Sequence, residues 1–156
     1  MKDRILSTLA EATEGLNLLN GDYYIIGSSA IILSGIDVGI THDIDILTNT
    51  YHSNVLRAEW NDKLVKDPPM KESNLFESDF ACFQFSEMQI EVLGDLKVFK
   101  GDRWVHLDVN DYNIFKLNGL EIKIPTLTEQ IRILNLFGRK KDMNRINIIN
   151  EHMNRR

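Results

Sequence analysis

Ile5, Leu6, Leu9, Ala12, Leu16 and Leu19 recur at spacings of three and four. That is the stripe of an amphipathic helix, which Asn20-Gly21-Asp22 ends with turn chemistry. Tyr23-Tyr24-Ile25-Ile26 is a short aromatic and β-branched run, the pattern of a buried strand. Gly27-Ser28-Ser29 and then Ala30-Ile31-Ile32-Leu33 predict a tight turn and a second helix stopped at Gly35. Residues 42–48 alternate as a second strand, with Ile44 and Ile46 on one face and Asp43 and Asp45 on the other. Residues 54–64 are expected to be helical, and 66–74, with Pro68-Pro69, to form a loop. Residues 80–85 and 89–93 read as strands joined by Ser86-Glu87-Met88. Further strand character covers 104–109 and 112–124, with Asn118-Gly119 suited to a two-residue hairpin turn. Thr126 or Thr128 caps a helix closed by Gly138, and 143–153 gives a last helix. The order predicts an α/β (α+β) fold, a mixed β-sheet flanked by helices. It forms one domain over 1–156, with a core at 20–125 and a C-terminal helical segment at 126–156.

Composition narrows the class. The chain has 156 residues, enough for one globular core, and its 43% hydrophobic content argues against disorder. No uninterrupted apolar run approaches the roughly 20 residues that span a bilayer, so no membrane association and a soluble, cytoplasmic protein are expected. The single cysteine, Cys82, cannot make an internal disulfide; among Phe80, Phe83 and Phe85 it reads as a buried structural thiol. A net charge of −5 disfavours nucleic-acid binding by overall charge, yet residues 139–156 carry +4 against −9 for the rest. That basic terminus is either a solvated helix face or a patch for phosphates or an acidic partner.

The chemistry concentrates around Asp43 and Asp45. Two carboxylates about 7 Å apart on one strand face repel each other and serve no evident packing purpose. A divalent cation relieves that repulsion, and oxygen ligands suit Mg²⁺ or Mn²⁺. Glu91, in the Ile90-Glu91-Val92 strand, supplies a third acid if its strand lies alongside; Asp79 and Asp95 compete for that role. Gly27, directly after a strand, lets backbone approach a ligand closely, and Ser28 adds a hydroxyl donor. No Gly-Lys-Ser/Thr and no G-x-G-x-x-G is present at 27–35, which excludes a Walker A loop and a dinucleotide fingerprint there. His42 either faces away from the aspartates or contacts nucleotide; His52, His106 and His152 show no metal-ligand spacing. Lys97, Lys100 and Arg103 are solvated cations or phosphate contacts.

Tyr24-Ile25-Ile26-Gly27-Ser28, followed after 14 residues by Asp43-Ile44-Asp45-Ile46 and later by a strand acid, resembles the nucleotidyltransferase superfamily related to DNA polymerase β. It looks most like the small bacterial minimal, antibiotic and toxin–antitoxin-type members. The resemblance implies a nucleotidyltransferase-like fold with C-terminal helices. It implies Asp43, Asp45 and Glu91 as metal ligands and catalytic residues, and Gly27-Ser28 at a nucleoside triphosphate. The implied reaction is transfer of a nucleoside monophosphate to an acceptor hydroxyl on a small molecule, RNA or protein, with release of pyrophosphate. A homodimer or a protein partner would complete the cleft of so short a chain. Gly39 departs from the pattern, because such relatives often carry arginine there, and the third acid is Glu rather than the commoner Asp. Two alternatives use the same residues: a catalytically inactive nucleotide- or partner-binding member, and a metal-dependent phosphohydrolase.

Overall fold

The computed structural model describes residues 1–66, 68 and 72–155. The expected proline loop therefore falls partly outside the described residues (Asp67, Pro69, Met70 and Lys71), as does Arg156 of the basic terminus. Six α-helices surround a seven-stranded mixed sheet among the described residues. The strands are β1 (Tyr24–Ile26), β2 (Asp43–Thr48), β3 (Phe76–Gln84), β4 (Gln89–Lys100), β5 (Arg103–His106), β6 (Tyr112–Leu117) and β7 (Leu120–Pro125). Their order is β3-β4-β2-β1-β7-β6, with β5 paired to the far end of β4. β2 runs parallel to β4 and antiparallel to β1, and β1 runs parallel to β7. The hairpin turn between β6 and β7 falls at Asn118-Gly119, both at positive φ (49° and 83°), the pairing a tight two-residue turn demands.

The two faces of the sheet are covered differently. Ile25, Ile44, Ile46, Ile90, Val92 and Phe83 form the main core with helices α1 (Lys2–Glu11), α2 (Thr13–Asn17), α3 (Gly27–Leu33) and α4 (Thr50–Glu59). The opposite face carries Ile26, Leu47 and Leu96 under Ile133 and Phe137 of α5 (Leu127–Phe137). Ile31 of α3 packs with Leu134 of α5 and with Ile146 and Ile149 of α6 (Lys140–Asn154), which ties the terminal helix to the start of the βα unit.

Several boundaries differ from those predicted. The first helix is broken at Ala12 into α1 and α2. α3 starts at Gly27 itself, with no intervening turn, because Gly27 takes up the left-handed backbone (φ 72°) that redirects the chain. α4 begins at Thr50 rather than 54, since the Asn49 side chain accepts a hydrogen bond from the His52 backbone N–H as its cap. A 3-10 turn at Asn61–Lys63 replaces its expected last turn. β4 continues to Lys100, so Lys97 and Lys100 are strand residues, exposed like Arg103 on β5. α5 is capped by Thr126, whose hydroxyl accepts from the Glu129 N–H, and is closed by left-handed Gly138. No helix of the described residues is long and apolar enough to cross a membrane.

Candidate active site

β2 delivers its alternation to the site. Ile44 and Ile46 are fully buried on the main-core face, and Asp43 and Asp45 are half-buried on the other. The Ser29 and Thr41 hydroxyls both donate to the Asp43 carbonyl, fixing the backbone where the strand enters the sheet. Parallel pairing of β2 with β4 sets Asp45 directly beside Glu91, and antiparallel pairing with β1 sets it beside Ile26, one residue before Gly27. The register thus gathers the predicted residues: Gly27, Ser28, Asp43, Asp45 and Glu91 all line one cleft. Asp79 and Asp95 do not line it. Arg57 and Ser53 hold Asp79, and Thr50 and His106 hold Asp95, which keeps both carboxyls below the usual range.

Gly27 packs closely against Asp45. A Cβ built on it would lie 2.8 Å from Asp45 Oδ2, inside any normal contact. Burial pushes the Asp45 carboxyl up to about 6. A hydrogen bond from Glu91 opposes that rise, the Asp43 charge adds to it, and Arg145 and Lys141 pull it back. Among the described residues, no three His, Cys, Asp or Glu side chains stand already gathered around one coordination point. The chemistry of the set nonetheless suits a hard divalent ion: three carboxylates on adjacent strands line one cleft, with Asp45 directly beside Glu91.

The other walls of the cleft are ones the sequence reading did not assign. Phe76, Phe80, Leu93 and Phe137 supply an apolar side. Arg139, Lys141, Asp142 and Arg145, from the start of α6, supply a charged one. The basic terminus is thus more than a solvated face: its first turns enter the cleft. The sequence signal was the Lys141/Arg145 spacing of four within a segment whose charge opposes that of the rest. Exposed Gly39 contributes no cation, so those in the cleft come from α6. Exposed His42 lies just before β2, and Cys82 is buried with its thiol on Gln89 Oε1 (3.3 Å). The enclosed space is about 220 Å³. That is below the roughly 300–1,000 Å³ of pockets that enclose a drug-sized ligand, so a ligand of that size would extend into the open side.

No family model and no curated protein matches the chain in sequence. Solved structures do match it in fold. A protein of Thermotoga maritima assigned as a nucleotidyltransferase superposes with a TM-score of 0.68 at 19% identity, covering 95% of this chain and 93% of that one. ANT(2'')-Ia, solved in complex with adenylyl-2''-tobramycin, gives 0.55 at 10% identity over 95% and 88% of the two chains. The lincosamide antibiotic adenylyltransferase LnuA, bound to lincomycin, gives 0.57 at 12% identity over 92% and 95%. These structures cover nearly the whole chain, and the chain has the nucleotidyltransferase fold.

Proposed function

We propose that this protein transfers a nucleoside monophosphate from a nucleoside triphosphate to an acceptor hydroxyl and releases pyrophosphate. The observation that carries the reading is the convergence of Asp43, Asp45 and Glu91 on the cleft that Gly27 and Ser28 open. Asp43, Asp45 and Glu91 would hold Mg²⁺ or Mn²⁺, which when bound neutralises triphosphate charge and polarises the reacting phosphorus. Gly27 and Ser28 bring backbone and a hydroxyl against the phosphate chain beside Asp45. The acceptor oxygen forms a bond to the α-phosphorus as the bond to the bridging oxygen of the pyrophosphate breaks. The acceptor proton passes to a cleft carboxylate, and Glu91, half-buried beside Asp45, is placed to take it. Fixed charges and donors serve such a reaction chiefly by positioning and by stabilising developing charge.

Two of the structural relatives are named for antibiotics, one solved with an adenylylated product and one with its antibiotic bound. This supports a small hydroxyl-bearing acceptor and ATP as the first donor to test. The open side of the cleft leaves room for a second copy or a protein partner to complete the acceptor half. The test supplies ATP, GTP, CTP or UTP with Mg²⁺ and panels of hydroxyl acceptors. Pyrophosphate and a nucleotidylated acceptor support the reading. Inorganic phosphate without an adduct would favour the phosphohydrolase alternative, and binding without turnover the inactive-member alternative.

A further inference from the structure

The two ends of the strand order present different edges. β3 is shielded: the Val65 N–H donates to the Cys82 carbonyl (2.9 Å), Leu64 bridges to Phe83, and a bulge between Glu77 and Asp79 breaks its outline. β6, at the other end, has β7 on one side and no strand on the other. It contains no proline, its register with β7 is unbroken, and Lys116 is its one charged residue. An edge left in that state is a template for another strand.

The hairpin decides which groups the edge offers. Across the two-residue turn, Leu117 and Leu120 exchange both hydrogen bonds, and antiparallel alternation then commits Phe115 and Asn113 to β7 as well. The N–H and C=O groups of Tyr112, Ile114 and Lys116 therefore point to the open side, where no backbone group of the described residues meets them. Phe115 and Leu117 pack on the main core, so the side chains of Tyr112, Ile114 and Lys116 lie on the opposite face. Ile114 is 45% exposed and Tyr112 41%. The strand is also polar end to end. Asp108 and Asp111 precede it, with Asp22 and Asp108 near the Tyr24 ring that packs on Tyr112, whereas Lys116, opposite Glu121 on β7, stands at its far end.

We propose that β6 pairs antiparallel with β6 of a second copy of this chain, about a two-fold axis at Ile114, and joins the two sheets into one. Matching outward-facing residues with outward-facing residues, and using all three, fixes that register. Ile114 of one copy meets Ile114 of the other, and each Tyr112 meets Lys116 of the second copy. The pairing covers the exposed isoleucine, carries each lysine to the acidic end of the other strand, and gives a partner to both backbone groups of all three residues. A strand of an unrelated protein would need the same pattern in reverse, which a second copy has by symmetry. β7 and β1 separate β6 from the cleft strands β2 and β4, so both clefts stay open and the inference does not rest on the function proposed above. A contact of one strand per copy belongs to the small end of specific interfaces, and dissociation on the order of micromolar follows.

Sedimentation velocity of the full chain over roughly 1–500 µM tests it. Wild type should pass from 18.0 kDa toward twice that mass as concentration rises. Ile114→Pro removes the central outward N–H and no β6–β7 bond, so it should keep the wild-type circular dichroism while weakening the dimer by at least about 30-fold. Ile114→Lys sets like charges directly opposite each other and should do the same. Ile114→Cys reads the register: hydrogen-bonded pairs hold Cα atoms about 5.5 Å apart, within disulfide reach, so mild oxidation should give a covalent dimer that thiol reverses. Tyr51→Cys, at an exposed position on α4, should not cross-link, and the native Cys82 is buried. If Ile114→Pro fails to fold, Ile114→Lys and Ile114→Cys carry the comparison. A wild type that stays monomeric over the whole range overturns the proposal and leaves the edge open or to another protein's strand. A dimer that survives Ile114→Pro and Ile114→Lys, with no Ile114→Cys cross-link, overturns it by placing the interface elsewhere.

Discussion

Gly27 links the backbone turn to the acidic site, and replacing it with alanine separates two physical costs. At φ 72° the residue sits in left-handed backbone, which costs an L-residue about 1–2 kcal/mol relative to glycine. The new methyl would also lie 2.8 Å from Asp45 Oδ2, where ordinary contact begins near 3.4 Å. Displacing that short, half-buried side chain costs on the order of 1 kcal/mol more. Gly27→Ala should therefore lose about 2–3 kcal/mol, a fall in Tm of roughly 5–10 °C for a domain of this size. Denaturant unfolding of Gly27→Ala, Asp45→Ala and the double variant separates the contributions. Without the Asp45 carboxylate the overlap disappears, and the Gly27→Ala penalty should shrink by about 1 kcal/mol to its backbone part. An unchanged Tm for Gly27→Ala would refute the strained turn. The same penalty in both backgrounds would refute the close approach of Gly27 to Asp45.

Asp142 is fully buried and takes three hydrogen bonds from Arg139, so Asp142→Ala should destabilise by about 3 kcal/mol in urea unfolding, with Glu72 retaining some compensation for Arg139. Gly15→Ala would put a methyl within 2.4–2.8 Å of the Trp60 indole, and should cost about 1–3 kcal/mol with a change in tryptophan emission. Metal-free protein should become more stable as pH falls. Burial raises folded Asp45 to about 6 from 3.8, so its ionisation cost is full above pH 7 and is relieved as pH drops through 6 toward 4. That effect, on the order of 2–3 kcal/mol, should appear in Tm measured against pH with EDTA and should vanish in Asp45→Asn.

The parts of the fold that were legible are those whose pattern is local. Alternation at 43–48 placed two isoleucines in the core and two aspartates on the cleft face, and the Asn-Gly hairpin was readable from its turn chemistry. Glu91 was legible as a strand acid, but its selection over Asp79 and Asp95 needed the parallel pairing of β2 with β4, a long-range register that no local pattern encodes. Helix starts were the weakest readings. α4 is set by the Asn49 cap rather than by the apolar stripe, and α6 is set by Arg139 with Asp142, a pairing outside the usual capping residues. The cations of α6 were visible only as a charge excess. Their meaning depends on α5 and α6 packing against α3, which brings the helix start to the cleft through Ile31, Leu134 and Ile146.

The proposed function requires the carboxylates of β2 to bind a nucleoside triphosphate through a divalent ion. Titrating ATP, GTP, CTP and UTP into wild type and the Asp43→Asn/Asp45→Asn double variant, with and without Mg²⁺ or Mn²⁺, measures it most directly. The expected result is saturable, metal-dependent binding of at least one triphosphate to wild type and its loss in a double variant that keeps its fold. Metal-dependent binding retained by the double variant, or no binding of any triphosphate to wild type, would contradict it.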